Sequence, residues 1–187
     1  MIEKVCHVGP ALSVQGGICS VLLSYKKLFG LTEKNFLATY NGSFLRSLPL
    51  VLKTCLKVLF ASKKSPILYE LHTASYGSFW RMFVVSLFVR LRGMKYAPHV
   101  HGSVFDEFCN NSSSFTKKAI RSYFRNAAKI IVLSSEMEAF LRSFDPELHN
   151  FATVPNPCES IASSPVDLSK HVNPVKVIFS GRFGDRK

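Results

Sequence analysis

The stretch P-I-L-Y-E-L-H-T-A-S-Y-G-S-F-W-R-M-F-V-V-S-L-F-V-R-L-R-G-M-K-Y-A-P-H-V-H-G-S, residues 66–103, decides the fold class. Residues 66–71 form a short apolar run of strand length. Residues 79–91 are too long for a strand and read as a helix stopped by Gly93. Residues 96–101 return to a short strand, closed by Gly102. Strand, helix, strand in that order is the unit from which parallel sheets are built.

The alternation continues on both sides. Before it, 4–8 reads as a strand ending at Gly9-Pro10, 18–29 as a helix stopped by Gly30, and 36–40 as a strand ending at Asn41-Gly42. A helix over 48–61 follows, with Pro49 in its first turn, where a missing N–H costs little. After it come a helix over 115–126, a strand over 129–133, a serine-capped helix over 135–143 and a strand over 151–154. The order predicts a doubly wound, Rossmann-like α/β domain over 1–154, its parallel sheet covered by helices on both faces. Residues 155–174 are rich in Pro, Ser and Asn and read as a linker. A strand over 175–179 and the loop Ser180-Gly181-Arg182 then read as the start of a second domain.

An apolar fraction of 47% with 16 Phe in 187 residues excludes a disordered tail. The net charge of +12 calls for a phosphate-bearing partner: nucleic acid, an anionic membrane or a phosphorylated small molecule. It is uneven, since residues 1–100 hold 13 Lys/Arg against 3 acids and residues 101–187 hold 11 against 9. The five cysteines (6, 19, 55, 109 and 158) show no paired spacing and read as free thiols of a reducing compartment. There is no signal-peptide pattern at the N-terminus, and no apolar run approaches the ~20 residues needed to cross a bilayer. The expected location is the cytoplasm, with the inner face of the plasma membrane as a peripheral option.

Polar residues gather where strands end, the place where such sheets bind ligands. Gly16-Gly17, before a helix, let the backbone approach a phosphate at the helix N-terminus; a plain tight turn is the alternative. His72, His99, His101 and Ser103 lie near the ends of two strands. His99 and His101 face the same side and with a third His would suit zinc, but no Asp, Glu or Cys pattern joins them. Imidazoles here can instead contact a sugar hydroxyl or a leaving oxygen, or simply hydrogen-bond to backbone. Arg46, Lys53, Lys57 and Lys64 recur at spacings of seven and four on an otherwise apolar helix, and Arg81 and Arg92 lie on the next one. Long cations edging apolar faces suit anionic lipid, or else a solvated face of a sheet-packed helix. Arg182 and Lys187 suit a diphosphate.

Taken in order, V-G-P-A-L-S-V-Q-G-G-I, the histidine segments, N-A-A-K-I-I-V-L-S-S-E-M, V-P-N-P-C-E and S-G-R-F-G-D-R-K resemble the glycosyltransferases of family 4, of two-domain GT-B architecture. Lys129 stands where that family usually has Asp, and Pro157 where it has Gly. The resemblance implies transfer of a sugar from a nucleotide diphosphate sugar to a glycan or lipid-linked acceptor, with retention and without a metal, in surface-polysaccharide synthesis. Gly16, Gly17, Arg182 and Lys187 would bind the donor diphosphate. His101 would contact the transferred sugar, with His72, His99 and Ser103 as acceptor or sugar contacts. The family's donor domain lies beyond Lys187, so this chain alone is expected not to transfer sugar. Two rivals are a non-catalytic basic module for membrane or nucleic acid and a sugar-nucleotide epimerase of the same architecture. Nucleic acid fits poorly, because the cations sit on apolar helices away from the glycine and histidine loops.

Overall fold

The computed structural model describes residues 4–62, 67–102 and 104–157, and within them the strand–helix–strand unit is present. It consists of β3 (Ile67–Thr73), α3 (Gly77–Leu91) and β4 (Lys95–Val100), with β3 and β4 parallel. Helix α3 stops where Gly93 takes φ +64, and the Met94 N–H donates to the Val89 carbonyl at 3.0 Å. Only glycine adopts that left-handed geometry without strain, so the stop is local chemistry. Gly30 ends α1 (Gly17–Leu28) in the same way, at φ +59.

The remaining strands and α-helices of the described residues are β1 (Lys4–Pro10), β2 (Phe36–Tyr40), α2 (Phe44–Leu59), α4 (Phe105–Asn111), α5 (Ser114–Arg125), β5 (Ile130–Val132), α6 (Ser135–Phe144) and β6 (Phe151–Thr153), with a 3-10 turn over Glu33–Asn35 ahead of β2. All six strands are parallel in the order β2-β1-β3-β4-β5-β6. The described residues form a doubly wound, Rossmann-like α/β fold, as the alternation of patterns predicts. Two departures are local. Helix α2 begins four residues early, so Pro49 lies inside it, on an exposed face where water can satisfy the carbonyl it leaves unpaired. Helix α4 was not anticipated; Phe105, Phe108 and Cys109 are its buried face.

Register sorts the side chains into two unlike faces. Val8 pairs with Leu71, and Tyr69 with Tyr96; these join α2, α3 and α5 in the main core. Phe79 sits there fully buried, edge-on to Tyr123 at 5.6 Å. The buried hydroxyls are satisfied, with Tyr96 Oη donating to the Tyr123 carbonyl at 2.6 Å and Tyr123 Oη 2.7 Å from Thr73 Oγ1. The opposite face is polar: His7 pairs with Glu70, and His72 with His99. Helix α1 covers that face, with Tyr25 set against His7, His72 and His99. Gly9 permits the approach, since a Cβ there would stand 3.2 Å from Leu22 Cδ1 and 3.4 Å from His72 Cβ.

Among the described residues no helix is long and apolar enough to cross a membrane. Cys6, Cys19, Cys55 and Cys109 are free thiols. Lys64, Ser103, Cys158, Arg182, Lys187, most of the linker and the strand expected over 175–179 lie outside the described residues.

Candidate functional site

Strand order places the site. From β1 the chain passes to β2 on one side and later to β3 on the other, so the loops after β1 and β3 diverge and leave a crevice between them. A cleft of about 240 Å³ lies there, lined by Gly16, Gly17, Ile18, Tyr40, Ala74 and Arg81 among others. Gly16 and Gly17 have nothing within 4 Å of where a Cβ would stand, and α1 starts with neither a side-chain cap nor an acid in its first turn. The first N–H groups of α1 therefore meet the cleft with the positive end of the helix dipole behind them. Arg81 supplies a fixed cation on the other wall. Its guanidinium stands 4.8 Å from the Tyr40 ring centroid, and its Nε is buried without a hydrogen-bond partner among the described residues.

The rim facing this cleft is held in an unusual backbone conformation. Tyr76 takes φ 54 at the start of α3, and the Ser78 N–H donates to the Ser75 carbonyl at 3.2 Å, closing a tight turn. A non-glycine residue at positive φ stores strain of about 1–3 kcal/mol. Gly102, at φ +131, brings the end of β4 against the same rim, where its Cβ would meet that of Ala74 at 3.8 Å. His101 stands next to it, its N–H donating to the Thr73 carbonyl at 2.7 Å.

Beneath the rim lies a buried row of four imidazoles and one carboxylate. His101 Nε2 is 2.9 Å from His72 Nδ1, and His72 Nε2 is 3.2 Å from His7 Nδ1. Glu70 accepts from His99 Nδ1–H at 2.8 Å and lies 3.4 Å from His72 and 3.5 Å from His7. His99 Nε2 is buried with no hydrogen-bond partner among the described residues. Burial pushes the His101 imidazole down to about 3, with the neighbouring His99 acting in the same direction. Burial also holds His72 well below the ordinary range, helped by His101, His99 and His7. His7 is lowered by burial, against the opposing pull of Glu70. These three rings are neutral near pH 7, so each has one nitrogen that donates and one that accepts along the row.

Helix α1 leaves part of the polar face open. A cavity of about 610 Å³ lies over it, lined by His7, Glu70 and His99 at the sheet and by Tyr25, Phe29 and Pro157 around it. This cavity reaches the histidine row, whereas none of the four histidines lines the smaller cleft.

The structure thus brings together His72, His99 and His101, three of the residues singled out from sequence, and places Gly16 and Gly17 at the neighbouring cleft. Arg46, Lys53 and Lys57 are exposed on α2. Two of the lipid-facing assignments are corrected. Arg81 is half-buried and turned into the cleft over Tyr40, and Arg92 is half-buried and donates to the Ala61 carbonyl at 3.2 Å. Sequence reading gave no role to His7 or Glu70: the pairing of β1 with β3 sets His7 beside the histidines, whereas Glu70 shares its strand face with His72, a spacing of two that could have found it. It also found no carboxylate to accompany a zinc site, whereas Glu70 is present. His72, His99 and His101 each bring a ligand atom within 4.8 Å of the others, and so do His7, Glu70 and His72. Both triplets share His72, whose two nitrogens already face His101 and His7, so a metal would have to replace those contacts. No protein-family model, curated protein or solved structure matches the chain.

Proposed function

We propose that the chain is the acceptor-side domain of a retaining glycosyltransferase that draws its sugar from a nucleotide diphosphate sugar. The observation that carries this reading is the crevice between β1 and β3, where the uncapped N-terminus of α1 and the Arg81 guanidinium share one cleft whose rim adjoins His101. Backbone N–H groups at Gly17 and Ile18, the helix dipole and Arg81 form a receptor for a diphosphate without a metal. The same groups offset the charge that grows on the diphosphate as the sugar leaves it.

His101 contacts the transferred sugar in this reading. Its neutral imidazole offers one donor and one acceptor, and Nε2 is engaged by His72, which leaves Nδ1 for the sugar. His72 and His99 act behind it: His72 orients His101, and Glu70 orients His99. Arg182 and Lys187 are assigned to the diphosphate on their charge and the family resemblance, and Ser103 to the acceptor or sugar on that resemblance. The acceptor is a glycan or a lipid-linked glycan, as in surface-polysaccharide synthesis. The cleft by itself should bind the nucleotide diphosphate.

Titration of the isotope-labelled chain with a uridine or guanosine diphosphate, followed by amide NMR, tests the reading. Shifts confined to 16–19 and the Arg81 side chain support it, with inorganic pyrophosphate reproducing most of them. An unchanged spectrum at millimolar nucleotide overturns it.

A further inference from the structure

Helix α2 has more apolar surface than its place in the fold requires. Its inner side, Thr54, Cys55 and Val58, is buried against β2 and the core. A second apolar stripe runs along its outer side: Leu45, Leu48, Leu52, Leu56 and Phe60 are 75, 55, 60, 43 and 79% exposed. Spacings of three and four keep these on one face for the length of the helix, about 24 Å. Helix α3 packs beside α2 on the same side of the sheet, so its outer face adjoins that of α2. It exposes Val84, Leu87 and Leu91. Apolar stripes on two neighbouring helices make a surface of the kind that marks an interaction site rather than scattered exposure.

The charge on this surface has one sign. Arg46, Lys53 and Lys57 are exposed and, at spacings of seven and four, form one row beside the leucines of α2. Arg90 is exposed on α3. Between Glu33 and Asp106 the sequence has a single acid, Glu70, and it is buried on the opposite face of the sheet.

We propose that the outer face of α2 and α3 docks on an anionic lipid surface, the leucine stripe and Phe60 entering the headgroup–acyl boundary and Arg46, Lys53 and Lys57 meeting lipid phosphates. Charge complementarity selects this occupant. A second copy of the chain would set this row of cations against the same row, with no acid on either face to offset it. Nucleic acid would meet the cations but leave the leucines without a partner, because single-stranded binding relies on flat aromatic platforms. A lipid surface satisfies both halves: apolar burial for the stripe, and anionic headgroups for the flanking row. The proposal goes beyond the transferase reading and stands without it.

Sedimentation of the full chain with vesicles tests it. Vesicles of phosphatidylcholine and phosphatidylglycerol in equal parts are compared with phosphatidylcholine alone. Binding to the mixed vesicles only, weakened by about 0.5 M salt, is the expected result. The pair Lys53→Gln/Lys57→Gln is expected to weaken it about 30-fold, taking about 1 kcal/mol per basic residue near the surface. The pair Leu52→Gln/Leu56→Gln should reduce binding about tenfold or more through the lost apolar contact. These four side chains are exposed, so circular dichroism should report an unchanged fold. Absence of binding by the folded wild-type chain overturns the proposal, as does binding that neither pair alters. A concentration-dependent dimer abolished by Leu52→Gln/Leu56→Gln, without vesicle binding, would assign the face to self-association instead. Salt-sensitive DNA binding lost in Lys53→Gln/Lys57→Gln, again without vesicle binding, would also overturn it.

Discussion

Lowering the pH from about 7.5 to about 5 is expected to destabilise the domain through its histidine row. The direction follows from proton counts. In the unfolded chain a histidine takes up its proton near pH 6.5. In the fold, burial holds His101 down to about 3. Between those values the unfolded state binds more protons, so stability falls as the pH falls through the window. At pH 5, unfolded His101 is almost fully charged while the folded ring remains neutral, which amounts to about 2 kcal/mol. His72 and His7 shift in the same direction, also through burial, and add to the loss. The other groups facing the row do not reverse it. Glu70 only moderates the fall at His7, and the Tyr25 hydroxyl, pushed up to about 12 by burial and by Glu70, stays neutral throughout. Asp145 is held low by its hydrogen bonds from Arg125, so its contribution is intact at pH 5 and is lost only at lower pH. Urea unfolding followed by circular dichroism measures the effect. With a slope of 1–3 kcal/mol/M, a loss of about 2 kcal/mol moves the midpoint by about 1 M. His101→Gln, which cannot be protonated, should show a shallower pH dependence than the wild type. A midpoint that stays level from pH 7.5 to 5, or a folded His101 ring that titrates near 6.5 by NMR, would refute the reasoning.

Two further outcomes rest on geometry elsewhere. Arg125 donates to both oxygens of the buried Asp145, at 2.6 and 2.7 Å, so Arg125→Gln is expected to lower the urea midpoint at neutral pH by leaving that carboxylate short of donors; an unchanged midpoint would show that the pair contributes nothing. Tyr76→Gly should be more stable than Tyr76→Ala by about 1 kcal/mol, because only alanine retains the strain at φ 54; equal midpoints would show that the turn is unstrained.

The elements of the fold are legible because their signals are local. Apolar runs of strand length, helical spacing, and glycines at 30 and 93 mark most boundaries within a few residues. Helix α4 escapes because its seven residues complete barely two turns, too few to display a period. The start of α2 escapes because Pro49 reads as a first-turn residue, whereas the exposed helix tolerates it further in.

By itself the sequence determines the parallel α/β class, the glycine pair ahead of α1, and the fact that three histidines lie near strand ends. It also determines that the segment from Lys34 to Met94 carries a single acid, Glu70, among its cations, whereas the fold decides that this acid is buried. Tertiary structure alone decides which residues meet. His7 joins the histidines through the pairing of β1 with β3, sixty-five residues from His72, and Glu70 meets His99 through the pairing of β3 with β4. Arg81 turns from an outward basic face into the glycine cleft because Tyr40, at the end of β2, stands beside it. The leucines of α2 stay exposed because its other side packs on β2 and α3. Periodicity describes a segment relative to its own axis, whereas strand order and register are set by long-range packing, which no single segment records.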